Sequence, residues 1–465
     1  MRRMADSLAH PARWSRETRI SVAGISSVLV LMTVWLFLDL PVTVLPAFLG
    51  LALLVIFTLR YPVIGVLALV AAQYLPLGIG EFTMFQVLGG LVTVLCLAFF
   101  GLTRRGLTFS WIVLPLVGFV LLTLNSLSFT HDPVMTQYLV RKLVLNVLFC
   151  LLLINVVDEF GKFRWLLAVI ATMGLVNAVA GAVQFVMGIT VESRAKGFQE
   201  NENQLGEISA LSMMVAVYIF LYGNRWWKQV LGLCLAAVLS LGVVSSISRG
   251  AVLALMAGLA WIALRESKHR LRVGMVALLA LLAVPFLPES FFNRFKNLNT
   301  DLRGTVELSQ RVGLTTRGYF NKAGIKIWKA HPVLGVGLGN FGYYYIQPEF
   351  NPGLRGNKKL PPHNIYVQAL AETGTVGFLV LCWWIAQCGY NFWQAERGIP
   401  DDRAMKGYLR TCEAVTVVAL VLFFSSGNLA YSSTAMVLTL NFLCRRCVET
   451  EQRAVRPEPA AAAAT

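Results

Sequence analysis

A chain of 465 residues is long enough for two or three soluble domains, but its composition excludes that arrangement. Hydrophobic residues make up 57%, charged residues only 14%, and the mean hydropathy is +0.65, whereas a soluble chain carries about 25% charged residues. The sequence reads as an all-α polytopic membrane protein, which rules out a cytosolic enzyme and a single-anchor receptor. A net charge of +16 is unusual for so apolar a chain, so where the charges sit is the informative question.

In chain order, apolar runs of spanning length lie near 20–38, 42–59, 62–78, 84–102, 110–128, 139–157, 164–188, 207–223, 229–247, 251–264, 272–287, 364–388, 411–427 and 432–444. The runs 251–264 and 432–444 are short, so the count is about 12 transmembrane helices, within a range of 12–14. Residues 1–19 hold five arginines and read as a cytoplasmic tail rather than a cleavable signal. Placing alternate connections and both termini inside collects 24 basic and 11 acidic residues there, as the positive-inside rule requires.

The domain plan is then a cytoplasmic tail at 1–19, a helix bundle at 20–287 and a large outer loop at 288–363. C-terminal spans follow at 364–444, then a cytoplasmic tail at 445–465 whose Ala460–Ala464 end is low-complexity and expected to be disordered. The long loop is itself basic, with 11 Lys and Arg against 4 acidic residues. The eight cysteines fall in spans or on the cytoplasmic side, so no disulfide framework is expected. Cys444 and Cys447 read as ordinary juxtamembrane thiols.

Five basic residues map to the outer face outside the long loop: Arg141, Lys142, Arg194, Lys196 and Arg249. Topology disfavours such positions in short loops. One reading is that each snorkels to headgroup phosphate, which suits Lys142 and Lys196; the other is a shared anion site. Arg249 opens a span within Ser248-Arg249-Gly250, where unpaired helix N–H groups already favour anions. Arg194 precedes Gly197 and Asn203 in a loop that is otherwise acidic.

In the long loop, Arg317 begins an amphipathic stretch to about Lys329, with Lys322, Lys326 and Lys329 at helical spacing. Such a stripe reads first as a solvated or headgroup-facing surface. His331-Pro332 ends the stretch, and Gly335, Gly337 and Gly339 read as a tight turn. Pro361-Pro362 stiffen the approach to His363, an interfacial imidazole able to accept a proton near neutral pH. The outer face offers no DxD and no paired carboxylates, so no metal site is expected and guanidinium groups would have to stabilise a phosphate leaving group.

Several segments together resemble the O-antigen ligase and polymerase superfamily. They are Arg194-x-x-Gly197 with Asn201-x-Asn203, Ser248-Arg249-Gly250-Ala251, Arg317 with His331-Pro332-Val333-Leu334-Gly335-Val336-Gly337, and Pro362-His363-Asn364 leading to Glu372-Thr373-Gly374. The likeness covers roughly residues 190–385; Glu202 and Asn321 depart from the family's usual proline and tryptophan.

The resemblance implies a GT-C-type glycosyltransferase of the bacterial inner membrane, working at the periplasmic face without metal, cofactor or nucleotide sugar. Its partners would be an undecaprenyl pyrophosphate-linked glycan as donor, lipid A-core as acceptor, and membrane lipids, with no nucleic acid. His363 would be the catalytic base and Arg194, Arg249 and Arg317 would hold the pyrophosphate. Arg141, Lys196, Asn203, Asn364 and Glu372 are secondary candidates, Glu372 either orienting His363 or pairing with a basic group. Alternatives are an O-antigen polymerase, a protein O-oligosaccharyltransferase and, from another class, a lipid-linked oligosaccharide flippase.

Overall fold

The computed structural model describes residues 45–76, 78–79, 82–190, 194–282, 317–351, 359–399, 403–425 and 428–455. The run near 20–38, the loop stretch 283–316 and the alanine-rich end lie outside the described residues.

Helices Leu45–Arg60 (α1) and Pro62–Gln73 (α2) are one apolar run interrupted at Tyr61-Pro62. Proline lacks the N–H that would continue the ladder but suits the first turn of a new helix. A two-residue antiparallel pair, Gly78–Ile79 with Phe82–Thr83, leads into Met84–Thr103 (α3), whose start is closed by a Thr83–Gln86 capping box. Then follow Leu114–Ser126 (α4), Pro133–Val156 (α5), Phe160–Val186 (α6), Glu202–Tyr222 (α7), Trp226–Ser246 (α8), Arg249–Arg265 (α9) and Arg270–Leu282 (α10). The remaining helices are Arg317–Ala330 (α11), Phe341–Tyr345 (α12), Ile365–Gly398 (α13), Arg403–Leu422 (α14) and Ser432–Val455 (α15). Six described helices, α3, α5, α6, α7, α8 and α13, are long and apolar enough to cross a membrane. The long elements are all helical, and the molecule is a membrane-embedded bundle.

Helix α7 sits at the centre, against α6, α8, α9 and α14. Leu205, Met213, Met214 and Leu221 on it are buried. The α8 backbone lies directly on α7 at Gly232, where a Cβ would collide with the Phe220 nitrogen and the Ala216 carbonyl. A hydroxyl ties the next pair, since Ser212 donates to the Ile170 carbonyl of α6 at 3.0 Å.

One end of the bundle is closed by an ion-pair network. Arg410 of α14 donates to Glu413 at 2.9 Å and to Glu396 of α13 at 2.5 Å, and it reaches Glu266 at 3.4 Å. Arg265 at the end of α9 donates to the same Glu396 at 2.6 Å, and the Trp261 indole donates to Glu413 at 3.0 Å. Helices α9, α13 and α14 are thereby fastened by groups that satisfy one another.

Helix α15 does not stop near residue 444, where its apolar run ends. It continues to Val455 because Arg445 pairs with Glu449 one turn on (2.7 Å) and the Arg446 guanidinium donates to the Ile154 carbonyl of α5. Cys444 and Cys447 are buried thiols on that helix.

Candidate functional site

The site lies at the opposite end of the bundle from the ion-pair network. It is built where α11, the glycine turn after it and α13 interlock. On α11, Phe320, Ala323 and Ile327 recur at helical spacing and are buried with Val336, Phe341, Tyr345, Phe350 and Ala371. Lys322, Lys326 and Lys329 point the other way and are exposed, so the lysine stripe is the outer surface of this small core.

Helix α13 is broken at Gly374, whose φ of 65° and ψ of −166° are not helical. A break in a helix frees backbone groups that must find other partners. The turn after α11 supplies them. Val336 N–H donates to the Ala371 carbonyl (3.0 Å) and Gly337 N–H to the Glu372 carbonyl (2.8 Å). In return, Thr375 N–H donates to the Pro332 carbonyl (2.8 Å) and Val376 N–H to the Val333 carbonyl (3.2 Å). The two backbones touch: a Cβ on Gly374 would collide with the Val333 carbonyl, and one on Gly335 (φ 67°) with the Glu372 backbone. The His331–Gly337 and Glu372–Gly374 motifs are thus two halves of one junction.

Glu372 completes that junction. Its buried carboxylate accepts from Gly339 N–H (3.0 Å), Phe341 N–H (3.1 Å) and the Gln368 amide (2.9 Å). It holds the turn: neither His363 nor a cation is among these partners, which are backbone and amide groups. Gln368 also accepts from Leu429 N–H at 3.1 Å, joining the 428–431 segment to the same core.

Above the junction opens a cleft of about 520 Å³, walled by α5, the start of α7, the glycine turn, residues 359–363 and the 428–431 segment. His363 lies on its wall, exposed, with its ring edge against Phe320 at 5.6 Å. The His363 backbone is left-handed (φ 52°), uncommon for a residue with a Cβ. It is bracketed by Pro362 and by Asn364, which caps α13 by accepting from Tyr366 N–H (3.0 Å) and Val367 N–H (3.2 Å). The Asn364 amide also donates to Asn321 of α11 at 3.2 Å, fixing α11 beside the histidine. At the rim, Asp132 caps α5 and pairs with Lys359 at 3.1 Å. The Met135 N–H first, and then the Lys359 ammonium, hold its carboxyl below the usual range.

Of the expected arginines, Arg194 and Arg249 do not line this wall. Arg194 is buried behind it, donating to the Ser246 carbonyl (2.8 Å), Glu202 (3.2 Å) and Asn203 (2.7 Å). Asn203 does line the cleft, so it joins Arg194 to the cleft wall. Arg249 opens α9 as expected, half-buried and one residue past the Ser248 cap. The Arg317 backbone opens α11, three residues before Phe320; its side chain lies outside the described residues. Arg141 and Lys196 are exposed and do not line the cleft.

Lys142, expected from the sequence to reach headgroup phosphate, does line the cleft. The available signal was the i, i+4 spacing of Tyr138 and Lys142, which puts ring and ammonium on one helix face. Among the described residues no group of three or more His, Cys, Asp or Glu side chains could hold a metal ion.

His363, Lys142 and Asn203 thus meet on one open cleft of this helical membrane protein. Residues 234–382, about a third of the chain, match the family model described as O-Antigen ligase, and that match supports an O-antigen ligase family assignment. The matched stretch holds Arg249, Arg317, the whole turn-to-helix junction and His363, while Arg194, Asn203 and Lys142 precede it. No curated protein matches the chain.

Proposed function

We propose that the protein is a GT-C-type glycosyltransferase with about 12 spans, seated in the inner membrane of a Gram-negative bacterium with both termini cytoplasmic. It transfers a glycan from undecaprenyl pyrophosphate to a sugar hydroxyl of lipid A-core at the periplasmic face. The observation that carries this reading is His363, held in a strained backbone conformation on the wall of an open cleft, inside the segment that matches the O-antigen ligase family.

In this reading His363 takes the proton of the acceptor hydroxyl. The hydroxyl oxygen attacks the anomeric carbon, and the bond from that carbon to the pyrophosphate oxygen breaks. The leaving pyrophosphate keeps the electron pair, and Arg249 and Arg317 stabilise its charge, one such contact being worth about 3 kcal/mol. Arg194 supports the site through Asn203. A single displacement inverts the anomeric centre, and no metal takes part.

The test supplies purified protein with undecaprenyl pyrophosphate-glycan and either rough lipopolysaccharide or a second donor molecule. Glycan on lipopolysaccharide is the expected product. A lengthened donor instead would make the protein a polymerase, and no product with either would favour a flippase. His363→Ala is expected to lower transfer by about 10²–10⁴-fold with unfolding unchanged. Full transfer by that variant would sink the mechanism.

A further inference from the structure

The cleft does not end at its floor. A second chamber of about 140 Å³ opens from it between α2, α3, α5, α7 and α15, and the two share Lys142, Glu200, Gln204, Glu207, Ala430 and Tyr431 at the neck. Beyond the neck the lining is mixed, with Phe85, Leu145, Ile208, Leu211 and Met436 beside Gln73, Gln86, Asn146 and Gln199.

Lys142 stands at this neck, half-buried between two aromatic rings. Its Nζ lies 4.4 Å from the Tyr138 centroid and 5.8 Å from that of Tyr431. Ring faces offset part of the charge, but they leave the three ammonium N–H donors without strong acceptors. Among the described residues no carboxylate lies within ion-pair distance of Lys142, although Glu200 and Glu207 line the same neck. The Gln73 amide in the second chamber likewise has neither its nitrogen nor its oxygen paired among the described residues. A cation and an unpaired amide facing one passage, with apolar side chains beside them, fit an amphipathic anion.

We infer that Lys142 is a phosphate-binding residue for a lipid pyrophosphate threaded through the neck. The sugar end lies in the cleft beside His363, the phosphates lie against Lys142 with the Gln73 amide as a further donor, and the first hydrocarbon units enter the second chamber. The carboxylates across the neck accept hydrogen bonds from sugar hydroxyls. This rests on the proposed glycosyltransferase reading and places the donor within that site.

The test measures binding of undecaprenyl pyrophosphate without glycan to purified wild-type, Lys142→Met and Lys142→Arg proteins. Lys142→Met is expected to weaken binding about 10–100-fold, the loss of a hydrogen bond to a charged group, while Lys142→Arg retains it. Unchanged binding by Lys142→Met, or equal losses in both variants, would overturn the inference. Inorganic pyrophosphate and lipid A-core are the other arms. The inference fails if free pyrophosphate binds as tightly as the lipid, or if Lys142→Met weakens lipid A-core alone. Wild-type protein that binds the lipid pyrophosphate through Lys142 yet transfers no glycan would sink the enzymatic reading and leave this binding site standing. Active wild type with a normally binding Lys142→Met protein would do the reverse.

Discussion

The two ends of the bundle handle charge in opposite ways. At the end closed by Arg410, each ion meets another: Arg410 and Arg265 share Glu396, and Glu413 takes Arg410 and the Trp261 indole. At the cleft end, Lys142 meets only tyrosine rings among the described residues, and His363 lies exposed on the wall. Groups that complete one another hold helices together; groups left with capacity are available to something else. The contrast separates charges that build the fold from charges that serve the cleft.

The sharpest way to break that contrast is Arg410→Met. It leaves Glu413 and Glu396 with Arg265 alone, so unfolding stability in detergent should fall by about 3 kcal/mol, while transfer per folded molecule stays the same. A loss of transfer at full stability would show that the far end is not merely structural. Gly374→Ala comes next. The backbone there is left-handed and a Cβ meets the Val333 carbonyl, so a cost of about 2–3 kcal/mol is expected, with transfer lost because the turn beneath the cleft is displaced. Thermal unfolding and a transfer assay on the same sample read both.

Asn364→Ala removes the cap of α13 and should cost about 1 kcal/mol. Asn364→Asp keeps the acceptor and should recover most of it, measured by unfolding midpoints. The smallest effect concerns acid. Asp132 is held below its ordinary value, so its contribution is complete above the unfolded carboxyl range (~3.9) and is lost as pH falls through the lower folded value. Asp132→Asn should flatten the acid limb of a stability–pH profile below about pH 4 and leave neutral pH little changed.

The helices were largely legible in the sequence, because apolar runs bounded by polar turns are a local signal. The runs 84–102, 229–247 and 251–264 lie within one to three residues of α3, α8 and α9, and Ser248 caps α9 where the Ser-Arg-Gly motif suggested a helix start. The amphipathic stretch after Arg317 and the glycine turn after His331 were legible for the same reason. What escaped was non-local. Nothing near Gly374 signals that its helix is broken to receive residues 332–337, since the signal sits some 40 residues upstream. Lys142 looked like a headgroup contact because Tyr431, the ring that helps hold it, is far away in the chain. Arg194 looked free for a ligand because its partners Glu202, Asn203 and Ser246 are only assembled by folding.

The broken helix constrains how this region can be exchanged. Because the turn at 332–337 supplies the hydrogen bonds that α13 lacks at Gly374, loop and helix are a single part in two pieces. A chimera that takes the loop from one family member must also take the helix segment around Glu372–Val376, or both strands of the junction are left with unmet backbone groups. Related chains are therefore expected to change these two segments together, with the residues lining the cleft free to vary between them.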